Sequence, residues 1–252
     1  KDYKRWDDKN PILNTKSRLN PNSFDLSKLS QDLFEFTNLK SGVDNVHKQP
    51  LKRIGRKIKN LDLVLVNGSN ILNLKRIRKR LDLKIFIEID DLIKGYISKV
   101  NSRNIKTKST PILINEKKDQ DIYVNQQKAN SDLFFQILPV NRELCLEQIN
   151  KGIEPKLKLN ITMLNGYFHE KLCHDLISLC GTYIDTKNTD YIDKVNICLE
   201  GEVTSEDISV IANSLIPNLS DLITEEQNWN SNYQGLIQLV TLKHITDLLI
   251  GE

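Results

Sequence analysis

Short apolar runs alternate with amphipathic stretches over the first 140 or so residues, and this alternation constrains the fold more than any other feature. Leu61-Asp62-Leu63-Val64-Leu65-Val66 stops at Asn67-Gly68, a second run spans Leu83 to Ile89, and a third, Asp132 to Pro139, is closed by its proline. Their lengths suit buried strands better than helices. Between them, Leu26, Leu29, Leu33 and Phe36 recur at helical spacing and predict a helix over Asp25 to Phe36, ended by Ser41-Gly42. Ile71, Leu74 and Ile77 mark another over Ile71 to Leu81, and Asp90 and Asp91 are placed to cap a helix after the second run. Strand, helix, strand in this order demands crossovers, and so predicts parallel pairing.

The second half reads differently. Lys156 to Met163 alternates as a strand, and Phe168 to Leu179 is helical through Leu172, Leu176 and Leu179. Tyr191 to Val203 alternates again, and Thr204 with Asp207 three residues later forms a capping signal for a helix carrying Ile208, Ile211, Ala212 and Leu215. Gln234 to Leu249 is apolar over a broad face, which predicts a buried terminal helix. Asn101 to Tyr123 is polar, basic and interrupted by Pro111, the pattern of an irregular segment. A boundary is expected in the polar stretch Asn141 to Pro155, giving an α/β domain over 1–142 and an α+β extension over 143–252.

Composition removes whole classes. With 10 Gly, 7 Pro and 4 Cys in 252 residues, collagen-like, low-complexity and disulfide-scaffold chains are excluded. The longest apolar runs reach about half of the roughly 20 residues a bilayer span needs, so a soluble, cytoplasmic protein without membrane attachment is expected. The net charge of +3 hides an asymmetry. Lys48 to Arg80 carries eleven Lys or Arg against one acid, Asp62, whereas Glu200 to Glu252 carries nine acids against one base, Lys243. Such a split suits an anion-binding face or two mutually attracting surfaces, although most of these charges read as a solvated exterior. Nucleic acid is the weaker partner expectation, because few aromatics interleave with the bases.

The chain has neither a Gly-x-x-x-x-Gly-Lys-Ser/Thr loop nor a Gly-x-Gly-x-x-Gly fingerprint. Cys173, His174 and Cys180 do not have zinc spacing, and small thiols at the core boundary are the better reading. His47, His169 and His244 lack companion patterns and read as surface or boundary residues.

Lys1-Asp2-Tyr3-Lys4-Arg5-Trp6-Asp7 packs acids, bases and aromatics together, and Leu19-Asn20-Pro21 follows ahead of the first helix. Further on come Val64 to Gly68, Arg76 to Ile87, and the turn Asn125-Gln126-Gln127-Lys128-Ala129-Asn130-Ser131-Asp132-Leu133. In this order they resemble the phosphoribulokinase and uridine kinase family of P-loop kinases. Its Asp-Asp-Tyr-His-Arg-Trp-Asp motif is similar to Lys1 to Asp7, its strand ending in Glu-Gly to Val64 to Gly68, and its Pro-Gln-Lys-x-x-Ala-Asp-Leu to the 125–133 turn. Glu200 to Ile208 and Gly235 to Leu239 resemble the extension of the phosphoribulokinase-like bacterial branch.

The resemblance implies an incomplete P-loop-kinase-type parallel sheet with crossover helices and a C-terminal α+β extension. The P-loop segment is expected ahead of Lys1. The implied activity is transfer of phosphate from ATP, with Mg²⁺, to a hydroxyl of a sugar, sugar phosphate or nucleoside. Asp2 would be the catalytic or orienting carboxylate, Lys4 and Arg5 would contact the acceptor, and Lys99 and Arg103, from a reduced lid pattern, would steer phosphate. Lys1 stands at the family's catalytic carboxylate, Lys4 at its motif His and Asn67 at the Glu of Glu-Gly. The alternative is therefore a catalytically degenerate kinase-like binding or regulatory module. A small-molecule acceptor is the expected partner, and homo-oligomerisation is left open.

Overall fold

The structure, a computed structural model, describes residues 17, 19–37, 63–101, 116–164, 167–188, 193–216, 219 and 228–250. The chain divides into two compact units, one formed by 1–82 and 106–130, the other by 83–105 and 131–252.

The second unit is built on one five-stranded sheet: β1 Ile85–Ile89, β2 Leu133–Pro139, β3 Leu157–Leu164, β4 Tyr183–Asn188 and β5 Lys194–Glu200, in the order β1-β2-β3-β5-β4. β1 and β2 are parallel, with Ile85 opposite Leu133 and Ile89 opposite Ile137. β3 runs antiparallel to both β2 and β5, and β4 antiparallel to β5. The α/β class is as expected from the sequence, but the parallel part of the sheet is a single pair. The expected boundary at 142/143 falls in the first turn of the helix Arg142–Asn150, inside this unit, and the sheet continues across it.

Period-two alternation places one face of β2, β3 and β5 in the core. Leu133, Phe135 and Ile137 of β2, Leu159, Ile161 and Met163 of β3, and Val195, Ile197 and Leu199 of β5 are all buried. Against them pack the apolar stripes of three helices, numbered among α3 Asp91–Asn101, α4 Arg142–Asn150, α5 Tyr167–Cys180, α6 Ser205–Leu215 and α7 Asn232–Ile250. α5 contributes Leu172 and Leu176, α6 Ile208, Ile211, Ala212 and Leu215, and α7 Leu236, Leu239 and Val240. Each large aliphatic side chain buried in this way stabilises the fold by roughly 1.5–3 kcal/mol relative to exposure. Asp90 starts α3 as anticipated, its Oδ1 accepting the Leu92 N–H at 2.8 Å. The Thr204–Asp207 capping box of α6 is present in both directions.

Two elements were not anticipated. α4 lies in the polar stretch read as a boundary, started by the Asn141 side chain, which accepts the Glu143 and Leu144 N–H groups. β4 carries Asp185 and Lys187, and a strand at the edge of a sheet does not need the apolar face that would reveal it in the sequence.

In the first unit, α1 Leu26–Thr37 buries Leu29 and Leu33, and Asp25 Oδ1 accepts the Lys28 N–H at 3.0 Å. The helix expected over Ile71 to Leu81 is split into a 3₁₀ turn, Ile71–Asn73, and a short α2, Lys75–Arg78, with Ile71 and Ile77 buried. The strand expected at Leu61 to Val66 is not formed over its described part: Leu63 to Val66 pairs with no strand, and Leu65 is 81% exposed. An apolar run becomes a strand only with a neighbour to satisfy its backbone, and none is present among the described residues. At the end of the stretch read as irregular, a π-helical turn, Gln120–Val124, leads into a 3₁₀ segment, Asn125–Asn130, within the 125–133 turn. Among the described residues no helix is long and apolar enough to cross a membrane.

Candidate functional site

In the first unit, the 17–20 segment, the 69–73 turn and the 119–127 segment converge on one polar network. Asn20 precedes the 3₁₀ turn Pro21–Ser23, and its Oδ1 accepts the Asn22 N–H at 3.1 Å. Its Nδ2 faces Asp119, whose Oδ2 also accepts the Ser17 hydroxyl at 2.7 Å and the Ser17 N–H at 3.3 Å. One carboxylate thus ties the 17–20 segment to the start of the π-helical turn. Asn70 Nδ2 donates to the Leu19 carbonyl at 2.9 Å, joining the turn after Asn67-Gly68 to the same segment. Gln127 then links that turn to the π-helix: Oε1 accepts the Leu72 N–H at 2.9 Å, while Nε2 donates to the carbonyls of Tyr123, at 2.8 Å, and Ser69. Asn73 Nδ2 donates to Tyr123 O as well, at 2.6 Å.

Ser17, Asn20, Asn70 and Gln127 are buried. Burying such groups is tolerated only when they are hydrogen-bonded, so the network fixes the relative placement of its segments more narrowly than apolar packing would. Asn67 and Gly68 lie at its exposed edge. A methyl group at Gly68 would come within 3.1 Å of Ile71 Cγ1, so the turn folds closely over the 3₁₀ segment. Nearby in the same unit, the Arg80 guanidinium stacks over Phe34 at 4.3 Å. Lys75, Arg76 and Lys79 of the basic stretch are exposed, in keeping with a solvated exterior.

In the second unit the carboxyl ends of the parallel pair β1 and β2 carry the charged groups. Asp90 N–H donates to Ile137 O at 3.0 Å, and Asp90 Oδ2 pairs with Arg142 at 3.2 Å. Loops at this end of parallel strands are where open α/β sheets bind ligands. Cys145 is buried beneath them; burial pushes its thiol above the ordinary range, the Asp90 carboxylate adds to that, and Arg142 opposes it. Lys99 is exposed in the last turn of α3. On the sheet face opposite the main core, Glu88, Gln136 and Asn160 form a hydrogen-bonded row, with Gln136 Nε2 to Glu88 at 2.8 Å and Asn160 Nδ2 to Gln136 at 3.3 Å.

Of the residues singled out from the sequence, Asp2, Lys4, Arg5 and Arg103 lie outside the described residues, and Lys99 stands alone within them. Cys173 and Cys180 sit half-buried on α5, with burial raising both thiols, and His174 bonds to Asp175. Among the described residues no group of three or more His, Cys, Asp or Glu is placed to hold a metal ion. Neither the phosphates of ATP nor Mg²⁺ has a cradle there: the sequence has no Gly-rich Lys-Ser/Thr loop, and Asn67 offers an amide in place of a carboxylate. Sequence reading did not single out Asp119, Asn70 or Asn73, and named Gln127 only within the 125–133 turn. No pattern in the sequence marks these residues, because none of them lies at a periodic or motif position that signals a contact.

No protein-family model and no curated protein matches the chain. Among solved structures it is similar to phosphoribulokinase from Rhodobacter spheroides, at 15% identity and a TM-score of 0.46, over 90% of this chain and 77% of that one. The chain is a mixed α/β protein, and its fold class is established by its own sheet and helices.

Proposed function

We propose that this chain is the acceptor-side portion of an ATP-dependent, cytoplasmic small-molecule kinase that phosphorylates a hydroxyl of a sugar, sugar phosphate or nucleoside. The observation that supports the reading is that Leu19, the residues 69–72 that follow Asn67-Gly68, and Gln127 of the 125–133 turn are joined in one hydrogen-bonded network.

Phosphoryl transfer asks a protein chiefly for positioning and for charge aimed at the transferred group. In this reading Asp2 holds or deprotonates the acceptor hydroxyl, Lys4 and Arg5 bind the acceptor, and Lys99 and Arg103 steer phosphate. ATP with Mg²⁺ is the phosphoryl donor, held by residues other than those described. The kinase-like motifs lie in residues 1–142, and those of the extension in 143–252.

The test is ADP formation by the full-length protein with ATP, Mg²⁺ and either uridine or ribulose 5-phosphate. Turnover with one of them is expected, falling by roughly 10²–10⁴ in Asp2→Asn if the carboxylate acts on the proton. No turnover with any sugar or nucleoside acceptor sinks the reading, and unchanged turnover in Asp2→Asn removes that residue from it. A second reading, a kinase-like binding module without transfer, is favoured by the exposed, uncharged Asn67 where the family carries Glu. It predicts acceptor binding by calorimetry with no ADP formed.

A further inference from the structure

We draw no further inference here: the strongest candidate, the outer edge of β1 with the 51% exposed Ile87 at its centre, pairs with no strand among the described residues, and nothing in the structure shows what covers it.

Discussion

The same substitution, Gly to Ala, should have opposite signs at two helical positions of the second unit. In a helix interior the change ordinarily stabilises by about 0.5–1 kcal/mol, because alanine has less backbone freedom to lose on folding. At Gly95, within α3, an added Cβ meets nothing within 4 Å, so Gly95→Ala should gain that amount. At Gly235, in the first turn of α7, the Cβ would collide with the Asn230 carbonyl oxygen and the Ile208 Cδ1. The carbonyl belongs to backbone held in place by the Asn230 N–H bond to Gln238 Oε1 at 2.9 Å, so it cannot rotate aside as a side chain would. Overpacking of this kind costs about 1–3 kcal/mol, which exceeds the propensity gain and leaves a net loss of roughly 1–2 kcal/mol. For a protein of this size that lowers the melting temperature by about 2–8 °C. Urea denaturation followed by far-ultraviolet circular dichroism measures both variants. Trimming Ile208 to Val in the Gly235→Ala background should restore only part of the loss, since the carbonyl remains. A Gly235→Ala protein as stable as wild type would refute the close approach of α7 to the 228–231 segment and to α6.

Asn232 holds the start of α7 with φ of 56°, its N–H donating to Val203 O at 2.7 Å and its Oδ1 accepting the Val203 N–H at 3.0 Å. Asn232→Ala should lose about 1–2 kcal/mol through the missing acceptor and the left-handed backbone, and Asn232→Gly less, because glycine relieves the second cost. His244, packed edge-on against Phe168 with its ring bonded to Val240 O, has its pKa lowered from 6.5, first by burial and further by Lys243, against opposing pulls from Val240 O, Asp247 and Asp132. The unfolded chain thus takes up this proton more readily. The contribution of His244 to stability is complete above about pH 6.5 and falls as pH drops towards the lower folded value, a slope that His244→Gln should abolish. Imidazole resonances read by NMR should titrate below 6.5 in the folded protein, and a value above it would contradict the burial.

The elements most legible in the sequence were those whose evidence is local. β3 and β5 announce themselves by a period of two, α1, α5 and α6 by 3.6, β1 and β2 by short apolar runs, α7 by a broad apolar face, and Asp90 and Thr204 by the amide groups that a helix start leaves free. Period says which side chains share a face and says nothing of the neighbour. Parallel pairing was expected in the first half and holds for β1 and β2, and the sheet then continues with antiparallel strands from the second half. Leu63 to Val66 has strand chemistry and no strand beside it among the described residues. The edge strand β4, with Asp185 and Lys187 on it, and the polar helix α4 were hidden because neither needs a continuous apolar stripe.

The site divides in the same way. The sequence by itself determined the α/β class, the main core residues and the order of the motifs that resemble a kinase, since all of these follow from residue type and spacing. Only the tertiary structure decided that Asn20, Asn70, Asp119 and Gln127 form one network. A hydrogen bond between residues 50 or 100 positions apart leaves no periodic trace: an asparagine or glutamine looks the same in the sequence whether water or a buried carbonyl accepts its proton.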